Sequence, residues 1–277
     1  MKSGSGRNIT FPHTENFNTQ SQYYNDLIWI DDTVMTFTHE ATGGWQGSGA
    51  PKFTFVNSAG EQSSGIGIIN FPISGGAGPR RVNVRWLVYY GPTYESIGMT
   101  ETKSLILARC NGNCTAHDVS GQRGMVLESH SPPFVNAPYI CENIEAGGTE
   151  PQEPGKPLFV TADRLGQWIS FEAEYDLNNS IAKLYIDTQD GVQNSEGGTR
   201  PYKVWTAWDT SNSWWGISWL MGYWEARSGV NANSYFKIDE LAIDTRYIGP
   251  PSGFRTVGSP PPPVRIPTPP SSLQVGQ

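Results

Sequence analysis

The sequence predicts an all-β protein, with two antiparallel sheets packed face to face as a jelly-roll sandwich. Three observations carry that prediction. Apolar and polar residues alternate with period two in many short runs, the runs are separated by Gly, Pro, Asn and Asp, and apolar spacing of helical period is nearly absent. Composition agrees: 31 Gly and 21 Pro in 277 residues, 12% aromatic residues and only 16% charged ones describe strands and turns rather than helices. No repeat with a period of about 20 to 50 residues is visible, which sets propellers and solenoids aside.

Taken in order, residues 1–14 are unpatterned and are expected to form an N-terminal arm, and residues 15–250 the β-domain. Strands are expected at 33–40, 52–55, 65–71 and 81–90. The last of these places Val82, Val84, Trp86 and Val88 on one face, and Arg81, Asn83, Arg85, Leu87 and Tyr89 on the other. The first face is core and the second carries polar chemistry. Strands at 103–109 and 124–130 follow. The run 168–175 sets Ile169, Phe171, Ala173 and Tyr175 opposite Trp168, Ser170, Glu172 and Glu174, and its continuation to 181–186 reads as a hairpin. Runs at 215–225 and 235–244 complete ten or more strands, enough for two packed sheets. Residues 251–277 are poor in apolar residues and rich in Pro, so they are expected to be an extended tail or linker, serving as a tether to another module or as an end without a role.

Lys and Arg number 19 against 26 Asp and Glu, a net charge of -7, which disfavours nucleic acid and anionic membrane surfaces as partners. No run of 18 apolar residues occurs, so no membrane insertion is expected, and the opening residues lack the apolar stretch of a signal peptide. Three cysteines are present. Cys110 and Cys114 enclose Asn-Gly-Asn and can close a small loop, while either can instead pair with Cys141. A zinc site needs about four ligands at recognised spacing, which this chain does not offer. A disulfide implies an oxidising compartment, and the expected location is extracellular or on a cell or particle surface.

The closing segment, Tyr235-Phe-Lys-Ile-Asp-Glu-Leu-Ala-Ile-Asp-Thr-Arg-Tyr-Ile-Gly-Pro250, resembles the last strand of jelly rolls in the concanavalin A-like lectin and glucanase superfamily, as found in secreted polysaccharide lyases and related proteins. The segments Glu15-Asn-Phe17, Gly43 to Phe53 and Asn83 to Tyr94 are similar to that group too, so the resemblance spans roughly residues 15–250. The superfamily holds lectins, glycoside hydrolases, polysaccharide lyases and structural proteins, so it implies the fold and leaves the activity open. Its retaining glucanases carry alternating acids that serve as nucleophile and acid about 5 Å apart. Here Asp239 and Asp244 have the wrong spacing, and Glu172 with Glu174 has no intervening Asp and reads as a solvated strand face. Its lyases neutralise a uronate carboxylate and withdraw a proton with Tyr or His. That chemistry makes Arg85, His130 and Tyr223 the candidate catalytic residues, with Asn83, Tyr89 and Lys237 contacting substrate and Glu128 beside His130. The lyase motifs Gln-Ile-His and Tyr-x-Lys-x-Gly-x-Tyr do not occur as such. The superfamily's structural calcium implies Asp239 as a metal ligand, with Glu15 approaching it if the termini pair.

Six of the ten tryptophans fall between Trp205 and Trp224. Indole faces stack on the C–H faces of sugars, and they also fill cores and protein interfaces. Trp205, Trp208 and Trp214, lying among polar residues, and Trp45, in a Gly-rich loop, are the candidate ligand contacts. Trp219 and Trp224 fall on opposite faces of a period-two strand. The expected function is polysaccharide binding. The alternatives are a polysaccharide lyase acting on a uronic-acid polymer by β-elimination, and a structural or decoration protein of a phage or cell surface.

Overall fold

The computed structural model describes residues 7–19, 28–29, 35–55, 60–62, 65–72, 74, 77–94, 99–110, 123–130, 141–143, 165–189, 201, 203–206, 214–226 and 233–254. In chain order its strands are β1 (Arg7–Asn8), β2 (His13–Glu15), β3 (Ile28–Trp29), β4 (Met35–Glu40), β5 (Ala50–Phe55), β6 (Gly60–Gln62), β7 (Gly65–Asn70) and β8 (Arg81–Tyr90). There follow β9 (Met99–Cys110), β10 (Arg123–His130), β11 (Cys141–Asn143), β12 (Trp168–Asp176), β13 (Ile181–Thr188), β14 (Lys203–Thr206), β15 (Trp214–Ala226) and β16 (Tyr235–Asp244). A 3-10 turn at Trp45–Gly47 is the exception among the described residues.

The strands form two sheets. Sheet I runs β1-β7-β15-β9-β10-β11, with β3 on β7 and β6 on β15; sheet II runs β14-β13-β12-β8-β16-β5-β4, with β2 on β16. Neighbours are antiparallel except β1 and β7. The alternation in β8 and β12 is obeyed: Val82, Val84, Trp86, Val88, Ile169, Phe171, Ala173 and Tyr175 all enter the core, where Leu105 and Leu107 of β9 meet them from sheet I. Trp86 stacks on Phe171 with centroids 5.5 Å apart, and Phe53 on Phe236 at 4.9 Å. Aromatic pairs of this kind add about 0.5–1.5 kcal/mol beyond the area they bury. The hairpin of β12 and β13 is closed by Asp176, whose Oδ1 accepts the N–H of Asn178 at 2.8 Å and whose Oδ2 accepts the Asn179 side-chain amide at 2.7 Å. An Asp hydrogen-bonding its own chain two residues on is the physical basis of such turns.

Three expectations change. The predicted N-terminal arm contains β1 and β2, and Ile9 is buried while Phe11 packs on Phe71 at 5.8 Å. Two- and three-residue strands are too short to show a period. At the other end Phe254 packs on Trp45 at 4.5 Å, so packing reaches beyond the expected limit of 250. The tail after 254 lies outside the described residues. The solvated face predicted for Glu172 and Glu174 is also overturned, since both are buried, at 2% and 3% exposure.

Candidate functional site

Each sheet has one face on the core and one directed away from it, and the two outward faces differ. On sheet I the reference points are Leu105 and Leu107, both fully buried in the core. Leu127 of β10 stands opposite Leu105 in the backbone register. The register then runs across the neighbouring strands. Val126, Ile106, Trp219 and Ile68 form one cross-strand row; Glu128, Lys103 and Tyr223 form a second; His130, Glu101, Glu225 and Glu61 form a third. Register shifts fall between Leu127 and Glu128 and between Leu220 and Tyr223, where the apolar row gives way to the charged ones. Bulges re-aim the residues that follow them. The register therefore sets the predicted residue Tyr223 and Glu128 on either side of Lys103, and the predicted residue His130 two positions further along β10. Trp219 stands opposite Ile106, and Trp224 opposite Thr102. Lys103 was not anticipated, because the extra residue Ser104 shifts it relative to β10.

On sheet II the outward face is covered by the chain's own C-terminal segment. The Glu172 carboxylate accepts the backbone N–H groups of Ile248 and Gly249, at 2.8 and 2.7 Å. Arg85 donates to the carbonyl of Gly249 at 3.4 Å and to that of Glu240 at 3.2 Å, and its guanidinium lies 3.6 Å from the Glu240 carboxylate. Glu240 adopts φ 49 at a bulge in β16, and it is the carbonyl of this residue that Arg85 binds. Burial pulls the Arg85 pKa down, while Glu240 and Glu172 oppose the shift. Glu174 takes Arg81 at 2.9 Å, Lys183 at 3.1 Å and the Tyr185 hydroxyl at 3.0 Å. Further along, Phe254 caps a small cluster of Trp45, Ala50, Leu87 and Trp168.

The expected catalytic trio is thus divided: Arg85 lies in sheet II, under residues 245–249, and His130 and Tyr223 lie in sheet I. Asn83 is fully buried on the same covered face as Arg85. Trp45 is 9% exposed and packed on Phe254. Tyr89 and Lys237 do meet, Lys237 Nζ lying 5.1 Å from the Tyr89 ring, but Lys237 is held by Glu40 at 2.6 Å and by the Gly43 carbonyl at 3.2 Å. Tyr235 beside them is pushed up to about 12 by burial and by Tyr89. Trp205 lies on β14, opposite Ala182, and Trp214 begins β15 opposite Cys110. Trp208 lies outside the described residues.

Asp239 is fully buried, and its carboxylate is filled by protein donors. Its Oδ2 accepts the N–H of Trp45 at 2.7 Å and the Ser48 hydroxyl at 2.5 Å, and its Oδ1 accepts the N–H of Glu240 at 2.8 Å. Burial nevertheless raises its pKa from 3.8 to about 6, against those hydrogen bonds. β2 does pair with β16, setting Glu15 opposite Leu241. Three N–H and O–H donors around one carboxylate do not fit a calcium ion, which takes about six to eight oxygen ligands. Among the described residues no group of three or more His, Cys, Asp or Glu is placed to hold a metal.

The register also narrows the cysteine pairings. Cys141 and Lys103 both stand opposite Glu128 of β10, and Cys110 is seven positions from Lys103 along β9. Seven residues of extended strand span about 24 Å, far beyond the ~7 Å limit between Cα atoms of a disulfide. A Cys110–Cys141 bond is excluded. Cys114 lies outside the described residues.

Among the described residues no helix is long and apolar enough to cross a membrane. No protein-family model matches the sequence, and no curated protein does. Among solved structures the chain is similar to an endo-beta-1,4-glucuronan lyase from the fungus Trichoderma reesei, at 10% identity and TM-score 0.54, over 84% of this chain and 95% of that one. It is similar to the globular domain of T. cruzi calreticulin at 7% identity and TM-score 0.48, over 85% and 88% of the two chains. An alginate lyase from Chlorella virus aligns at 11% identity and TM-score 0.41, over 81% and 93%. The glucuronan lyase likeness is one of fold, and with the two-sheet topology it gives this chain a jelly-roll sandwich fold.

Proposed function

We propose that this chain binds a polysaccharide along the outward face of sheet I. The observation that carries the reading is the assembly, by register, of an apolar row containing Trp219 beside two polar rows containing Tyr223, Lys103, Glu128, Glu101, Glu225 and His130. Sugar sites combine these two halves: an aromatic face for the C–H surface of a ring, and nearby polar groups for its hydroxyls. The outward face of sheet II is the poorer candidate, because the chain covers it with residues 245–254. In these rows Glu61, Glu101, Glu128 and Glu225 outnumber Lys103, a balance that favours a neutral polymer over a polyuronate.

Cleavage is the second reading, and one observation favours it. Lys103 stands directly opposite both Tyr223 and Glu128, one row from His130, which supplies a cation for a uronate carboxylate beside a candidate base. In that reaction the base takes the C5 proton, the C4–O bond breaks with departure of the leaving sugar's oxygen, and a C4–C5 double bond forms. The fold is one that a β-1,4-glucuronan lyase also uses. A panel of neutral and uronic-acid polysaccharides, read by tryptophan fluorescence and by absorbance near ~235 nm, the region of the unsaturated product of that proton abstraction, separates the two. Fluorescence shifts with flat absorbance support binding; absorbance that rises and is lost in Tyr223→Phe establishes the lyase. Silence in both channels overturns a polysaccharide function.

A further inference from the structure

Three successive side chains on the outward face of β8 end in buried polar atoms with no hydrogen-bond partner among the described residues. They are Arg81 Nε, both Nδ2 and Oδ1 of Asn83, and Arg85 Nε. The rest of each guanidinium is engaged, Arg81 with Glu174 and Arg85 with the carbonyls of Glu240 and Gly249. Asn83 is different: its whole amide is unmet, and the residue is fully buried. Buried polar groups in native proteins are almost always paired, and leaving several unpaired together would consume a large share of a domain's stability.

The surroundings define what can occupy this place. Asn83 stands between Glu174 of β12 and Asp244 of β16. The outward face it belongs to is roofed by the segment that Glu172 and Arg85 hold down at Ile248 and Gly249. Glu172, Glu174 and Asp244 repel an anion, and Arg81 and Arg85 repel a cation. The unmet atoms are three N–H donors and one carbonyl acceptor, so the occupant must be neutral, small, and both acceptor and donor. Alternate residues of a strand lie about 6.8 Å apart, a gap that one molecule making two hydrogen bonds of ~2.8 Å can bridge.

We propose that Asn83 binds internal water beneath the C-terminal segment, each molecule bridging the Asn83 amide to Arg81 Nε or Arg85 Nε. An internal water takes about three hydrogen bonds and belongs to the structure as a side chain does. The seam between residues 245–249 and sheet II is then hydrated at its centre and sealed at its ends by Glu172, Arg85 and the Tyr185–Tyr247 ring contact at 4.8 Å. This inference is independent of the polysaccharide reading, which concerns the other sheet.

The test is a high-resolution crystal structure of the full chain, joined by water-to-amide nuclear Overhauser spectra in solution. The expected result is electron density for water within ~3 Å of the Asn83 amide, and a long-lived water contact to amide protons of β8 that disappears in Asn83→Leu. A structure in which the Asn83 amide bonds Glu174, Asp244 or the segment directly, with no water between, overturns the proposal. If Asn83→Leu does not fold, Asn83→Ser decides instead: retention of the water contact supports the site, and its absence from both Asn83→Ser and wild type overturns it.

Discussion

Replacing Asp239 by Asn should remove a pH dependence of stability that this one group creates. The carboxylate is buried beneath the turn at Trp45–Gly47, and its pKa is raised from 3.8 to about 6 chiefly by that burial. A raised pKa means that the folded protein holds the proton more tightly than the unfolded chain. The stability contributed is therefore fully present below about pH 3.8 and is lost as pH rises through about 6. The full effect is about 3 kcal/mol, of which about 2 kcal/mol develops between about pH 7 and about pH 4.5. Urea unfolding of wild type and Asp239→Asn at a series of pH values measures it, with the slope m held constant as the check on two-state behaviour. Other titrating groups, such as Asp244 and Glu40 with their lowered pKa values, are present in both proteins and cancel in the difference. Wild type should gain on the variant by about 2 kcal/mol as the pH falls from about 7 to about 4.5. Parallel stability curves, or a gain in the opposite sense, would refute the account of Asp239 as a carboxylate ionised at a cost.

Other consequences are equally concrete. A Cβ added at Gly44 would strike Ser48 Oγ, Asp239 Oδ2 and the carbonyl of Gly49, so Gly44→Ala should lower stability by about 1–3 kcal/mol in the same unfolding assay. Glu172→Gln weakens the grip on Ile248 and Gly249; their amide hydrogens should exchange about 10-fold faster or more, the equivalent of about 1.4 kcal/mol or more of charge-assisted bonding. With Cys110–Cys141 excluded by register, every intramolecular disulfide open to the chain includes Cys114. Cys114→Ser should therefore show three minus one, that is two, free thiols under non-reducing titration, and a remaining cross-link would contradict the register of β9, β10 and β11.

What could be read from the sequence follows the length of the alternation. β8 has the expected limits because ten residues of clean period two leave no freedom of register, and β16 keeps its expected limits although its alternation shifts at the bulge of Glu240. β1, β2, β3, β6, β11 and β14 went unseen because two to four residues carry no period. The face assignments in β8 and β12 held, yet their meaning changed. Glu172 looked solvated because its partners, the amides of Ile248 and Gly249, lie 76 and 77 residues away, and no local pattern reports such a contact. Still longer separations, of 164 and 155 residues, hid the role of Arg85, whose guanidinium binds the carbonyls of Gly249 and Glu240. On sheet I the types of residue were legible and their assembly was not. His130, Glu128 and Tyr223 stood out as chemistry-bearing residues, but only strand order brings them to neighbouring rows, and only the shift at Ser104 brings Lys103 between Glu128 and Tyr223.

The claim that a polysaccharide lies along the outward face of sheet I is tested most directly by hydrogen exchange of the full chain with and without a polysaccharide that shifts its fluorescence. The account predicts added protection concentrated in β9, β10 and β15, with β8, β12 and β16 unchanged. Protection confined to β8, β16 and residues 245–254, or spread evenly over both sheets, would contradict it.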